Sequence, residues 1–157
     1  MQQPAFFTEL FAIFAGNQEP ASRRAVWVVD TVSEKNPQFI APFLNDIVDM
    51  LPSLGHDGLK RHAMRILARS PLPTNNRLAR LIKVSFEWLL SPQEAIATKV
   101  HCMEALYRIS QTEPDLKKEL ADSIELRLNE ETPGFKNRGQ KLLKKLYAEI
   151  NNATEPY

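Results

Sequence analysis

Apolar residues along the chain recur at helical spacing, and proline and glycine cut them into segments. The pattern predicts helices near 4–15, 21–35, 37–51, 57–69, 74–90, 92–111, 114–130 and 134–151. Proline suits the first turn of a helix, where its missing N–H has no partner to lose. "NPQF", "SPQE", "EPDL" and "TPGF" therefore read as helix starts, and "LGHDG" (54–58) and "PLPTNN" (71–76) as the longer connections. No segment sustains strand alternation, and the Asp-Gly of "HDGL" is flanked by helical patterns. The expected fold class is all-α.

The helices repeat. Every second one aligns on a small residue, Ala25, Ala63, Cys102 or Gly139, at spacings of 38, 39 and 37 residues. Three positions on stand Val28, Ile66, Ala105 and Leu142; four positions on stand Val29, Leu67, Leu106 and Leu143. A small residue followed by apolar residues at plus three and plus four makes one helical stripe, and the small side chain admits a neighbouring helix. Three residues before it come Ser22, Lys60, Lys99 and Lys136. "LKRHAMRIL" (59–67) and "TKVHCMEAL" (98–106) thus resemble the second-helix signature of HEAT-like (armadillo-type) repeats, with Ser22 departing from the basic position. The resemblance implies an α-α superhelix (solenoid) of about four HEAT-like helix pairs. It divides into repeats near 1–35, 36–70, 71–112 and 113–152 of one domain, 1–152, with a frayed tail at 153–157. It also implies that the second helix of each pair lines a concave face.

At ~100° per residue, positions minus two, plus two and plus five point away from the apolar stripe. They hold Arg23, Trp27 and Asp30; Arg61, Arg65 and Ala68; Val100, Glu104 and Tyr107; and Asn137, Lys141 and Lys144. On the resemblance these face the concavity, and an exposed Trp beside Arg and Tyr is the composition of a recognition surface. The candidate binding residues are Arg23, Trp27, Arg61, Arg65, Glu104, Tyr107, Lys141 and Lys144. Arg24, His62, His101 and Arg138 fall on one flank, with Arg69, Arg108 and Lys145 on the other. The first helix carries Phe6, Phe7, Leu10, Phe11, Ile13 and Phe14 over an arc of about 160°, wider than one buried stripe needs. Phe7 and Phe11 are accordingly candidates for an apolar interface.

Charge sharpens this picture. The net charge is only +1, so no global field draws the chain to nucleic acid or membrane. The second helices of the pairs nevertheless carry a net +8, and the rest of the chain a net −7. A single cysteine, Cys102, excludes an intrachain disulfide and suits a reducing compartment. "AFFTELFAIFAG" has no Lys or Arg before it and contains Glu9, so it reads as a helix of the mature fold and not as a leader. No stretch reaches the ~18 uncharged apolar residues of a spanning helix.

The chemistry is sparse. His62 and His101 share a column without further ligands, and His101 and Cys102 diverge by ~100° on their helix. No phosphate loop, dinucleotide turn or zinc spacing occurs. No catalytic residue, metal or cofactor is expected. The expected function is a non-catalytic protein–protein interaction or scaffold module, cytoplasmic, monomeric or homodimeric, binding a protein partner on its concave face. The alternative is nucleic-acid or phosphate binding by a basic concave face, as in HEAT-like DNA-alkylation-repair proteins.

Overall fold

The computed structural model describes residues 4–154. Among the described residues all regular structure is helical: α1 (Ala5–Ala15), α2 (Ala21–Lys35), α3 (Pro37–Ile40), α4 (Leu44–Met50), α5 (Asp57–Arg69), α6 (Asn75–Leu90), α7 (Ile96–Ser110), α8 (Leu116–Leu128) and α9 (Pro133–Thr154), with 3-10 turns at Ala41–Phe43 and Leu51–Ser53. This is the all-α, helical-repeat class that the pattern predicts. The chain forms two compact units, Met1–Val84 and Ser85–Tyr157.

In the first unit α1 packs on α2, and α2 packs on α5. Ala25, Val29, Ala63, Ile66 and Leu67, which define the repeat register, are all buried there. Val28 is only half-buried. Phe7, Phe11 and Phe14 form a single i, i+4, i+7 stripe on α1. Phe7 and Phe11 do not form an exposed patch: they are 0% and 5% exposed. The reason lies in the next segment. Phe39 and Phe43 come within 5.7 and 6.1 Å of the Phe7 ring, and Phe43 stacks on Phe11 at 4.3 Å. Burial of each such ring stabilises the unit by about 2–3 kcal/mol. The exposed large apolar residues of α1 are instead Phe6 and Ile13.

The helix expected over 37–51 is broken. Pro42 and Pro52 each sit in the first turn of a 3-10 segment, at Ala41–Phe43 and Leu51–Ser53. A proline inside an α-helix lacks the donor and clashes with the carbonyl four residues back, so the chain tightens and restarts. The apolar spacing survives the break, which is why periodicity alone reads it as one helix.

In the second unit α7, α8 and α9 pack mutually. Cys102, Ala105, Leu106, Leu142 and Leu143 are buried as the register requires. Gly139 shows what the small position is for: a Cβ there would lie 3.0 Å from Ile124 Cγ2, so α8 sits close against α9. Lys99, at the recurrent basic position, is 1% exposed, and its ammonium meets Glu131 Oε1 at 2.6 Å. Arg127 Nη2 reaches the same oxygen at 3.0 Å. Burial pushes the Glu131 carboxyl up, but hydrogen bonds from Lys99 and Arg127 outweigh it and hold it below the ordinary range.

Two expected starts shift inward. "SPQE" forms a turn in which the Gln93 N–H donates to Ser91 Oγ, and α7 begins only at Ile96. α8 begins at Leu116 because the Leu116 N–H closes a turn onto the Glu113 carbonyl. α9 continues through Thr154, beyond the expected start of the tail at 153, and the rest of that tail, 155–157, lies outside the described residues.

A basic groove around Trp27 as candidate functional site

The site is built from two elements of the first unit. α2 presents Arg23, Arg24, Trp27 and Val28; the start of α5 presents His56, Asp57, Gly58, Arg61 and His62. Together they line an open groove of about 680 Å³. Trp27 is 60% exposed, unusual for the residue with the most apolar surface to hide.

The local geometry follows from "HDG". Ahead of α5, His56 takes the capping place that Ser or Asp commonly fills, its Nδ1 accepting from the Gly58 N–H at 2.9 Å. A Cβ at 58 would crowd the capping ring, 3.2 Å from His56 Nδ1, and would meet Arg23 Cγ and Cδ at ordinary contact, 3.4 Å. Glycine thus leaves room for the His56 ring to cap α5, with the Arg23 stem packed alongside. Arg23 Nη1 then stands 3.3 Å from His56 Nε2, while its Nε is 3.6 Å from Glu19 Oε2.

Behind the groove lies a buried charge cluster. Asp30 is 1% exposed, although the wheel places it facing outward. Its carboxylate accepts from His62 Nδ1 at 2.6 Å, Arg65 Nη1 at 2.9 Å and Arg69 Nη1 at 2.6 Å. Arg69 also donates to the Asp30 carbonyl and to Ser33 Oγ, both at 2.9 Å. Burial pushes the Asp30 carboxyl up, but the donors His62, Arg69 and Arg65 outweigh it and bring it from 3.8 to about 2. With Nδ1–H given to Asp30, His62 offers Nε2 as an acceptor, and Arg61 Nη2 lies 3.3 Å from it. The cluster's effect on the surface is to withdraw cations. Arg65, expected to bind a partner, is held by Asp30 and by Glu34 at 3.0 Å.

Of the expected site residues, the groove brings together Arg23, Trp27 and Arg61. It adds Arg24, expected only on a flank, and His56, which no repeat column contains; its position just ahead of a helix start is the one signal that could have found it. Glu104, Tyr107, Lys141 and Lys144 belong to the second unit. Glu104 accepts from Arg138 Nη2 at 2.6 Å and lies 3.4 Å from His101, whose hydrogen bond is the main cause of its lowered carboxyl. The Tyr107 hydroxyl donates to Glu149 Oε1 at 2.8 Å, and the Lys145 ammonium lies 5.7 Å from the Tyr107 ring centre. Both residues therefore serve α7–α9 packing. Lys141 and Lys144 are exposed on α9.

Among the described residues no group of three His, Cys, Asp or Glu side chains is placed to hold a metal ion, and no helix is long and apolar enough to cross a membrane. The HEAT repeat domain family model matches residues 1–146. No curated protein and no solved structure matches the chain.

Proposed function

The chain belongs to the HEAT repeat domain family, and from that premise we propose that it is a non-catalytic scaffold that binds a protein partner through the α2–α5 groove of its first unit. One observation carries the reading. Trp27 stands exposed among Arg23, Arg24 and Arg61, in a groove of a size that holds a bulky group. Trp and Arg are among the residue types enriched at the few positions that carry most of the binding energy of protein interfaces. Repeat folds supply such faces on a rigid frame, here with the groove walls backed by the Asp30 cluster.

The buried position of Cys102, the chain's single cysteine, fits a reducing, cytoplasmic setting. A monomer is the favoured state, because Phe7 and Phe11 are spent in the core of the first unit.

The test is capture from the native lysate with the wild-type protein, with Trp27→Ala/Arg61→Glu, and with a control, Lys118→Glu, at an exposed position of α8. A partner retained by the wild type and the control, and lost by the double variant, supports the reading. Equal capture by all three refutes it. A nucleic-acid reading draws on the same Trp27 and arginines, which could stack and pair with a strand. It is weakened because Arg65 and Arg69 are committed to Asp30, so the basic layer is thinner than the composition suggests. Its test is a salt series with labelled DNA, for which no specific binding is expected.

A further inference from the structure

We propose that the groove recognises an acidic linear segment of a partner protein, seating a carboxylate between Arg23 and His56 and an aromatic or aliphatic side chain against Trp27. The proposal rests on the groove reading above and adds the chemistry of the occupant.

The first argument is hydrogen-bond bookkeeping at His56. Its Nδ1 accepts from the Gly58 N–H at 2.9 Å, so that nitrogen carries no proton. The proton of the neutral ring is then on Nε2. Nε2 faces Arg23 Nη1 at 3.3 Å, and a guanidinium has only donors to offer. Two donors converge where neither can accept from the other. A carboxylate, with two oxygens and no hydrogen, accepts from both.

Charge complementarity is the second argument. Arg24 and Arg61 line the same groove, so a second acidic residue of the segment finds a partner near the first. Trp27 adds an apolar face beside these cations, and its 60% exposure leaves that face open to a side chain. The combination selects for carboxylates next to an apolar residue, and not for charge alone.

A nucleic-acid strand fits less well. Successive bases need successive stacking platforms, and this groove offers one large ring, Trp27, beside two imidazoles tied into hydrogen bonds. Asp57 also lines it and opposes a continuous polyanion. A peptide can place its acids at the arginines and leave Asp57 unopposed.

The experiment uses the full-length protein and fluorescence anisotropy of a labelled twelve-residue peptide with glutamates on both sides of a central phenylalanine. Three comparison probes are a glutamine-for-glutamate peptide, a lysine-for-glutamate peptide and a dT12 oligonucleotide. We expect the acidic peptide to bind, the glutamine peptide to bind at least about tenfold more weakly, and Trp27→Ala to cost about tenfold. Arg23→Glu should abolish binding of the acidic peptide and raise that of the lysine peptide, a gain that misfolding cannot imitate. Equal binding of the acidic and glutamine peptides, binding of neither, or tighter binding of dT12 overturns the proposal. If that happens while lysate capture still depends on Trp27 and Arg61, only the acidic chemistry falls. If capture is also indifferent to those residues, the groove reading falls with it.

Discussion

Replacing Asp30 by alanine removes the one carboxylate on which His62, Arg65 and Arg69 converge. The size of the effect follows from the carboxyl's titration. Its fall from 3.8 to about 2 corresponds to about 2 kcal/mol of stability at neutral pH. Removal also strands donors in a site only partly open to water, with the His62 and Arg69 side chains 11% and 27% exposed. Breaking a buried pair from one side costs about 3–5 kcal/mol, and the partial exposure of the arginines places this case near the lower end. The expected loss is thus about 3 kcal/mol, a large share of the stability of a small unit. Urea unfolding followed by far-ultraviolet circular dichroism measures it. The pH dependence supplies a second check. Because the folded carboxyl titrates below the unfolded one, its contribution is complete above about pH 4 and fades as pH falls toward about 2. The gap between wild type and Asp30→Ala should therefore narrow by about 1 kcal/mol between about pH 5 and pH 3. A gap below about 1 kcal/mol at neutral pH, or one that does not change with acid, would show that the cluster is decoration and refute the reasoning.

Three further outcomes are expected, each by the same unfolding measurement. Glu131→Ala strands the Lys99 ammonium and should cost about 3 kcal/mol or more, whereas Lys99→Met leaves Glu131 with Arg127 and should cost about 1 kcal/mol; the reverse order would contradict the ion-pair account. Gly139→Val forces a branched side chain against Ile124 and should cost about 2 kcal/mol, while an unchanged midpoint would mean that α8 and α9 are less tightly apposed than described. Phe11→Ala removes a ring stacked on Phe43 and should cost about 3–4 kcal/mol without altering the sedimentation coefficient of the folded protein, since the ring belongs to the core and not to a surface.

The repeat register was legible because burial of one helical stripe leaves a periodic mark. Ala25, Ala63, Cys102 and Gly139 carry it, and all four are buried. What periodicity missed has a common cause, which is that partners come from elsewhere in the chain. Asp30 lies at the edge of the outward arc of α2, and α2 packs on both α1 and α5, so its buried arc is wider than one stripe. Phe7 and Phe11 look surplus on α1 until Phe39 and Phe43 arrive from a segment that proline has bent. Arg65 has the spacing of a surface cation, and only the placement of Asp30 and Glu34 shows that it is occupied. The candidate site was readable in Arg23, Trp27 and Arg61, whose side chains do leave the stripe. His56 escaped because it belongs to a connection, where no repeat constrains the residue.

The two tryptophans sit in opposite surroundings, Trp27 60% exposed in the first unit and Trp88 8% exposed in the second. Each unit therefore carries its own optical label. Emission from Trp27, 60% exposed, is expected to lie near that of an indole in water, to be open to collisional quenchers, and to change less on unfolding than that of Trp88. Emission from Trp88 starts in an apolar setting and shifts to the red on exposure. Wavelength alone then follows the second unit through unfolding, and quencher accessibility alone follows what covers the first.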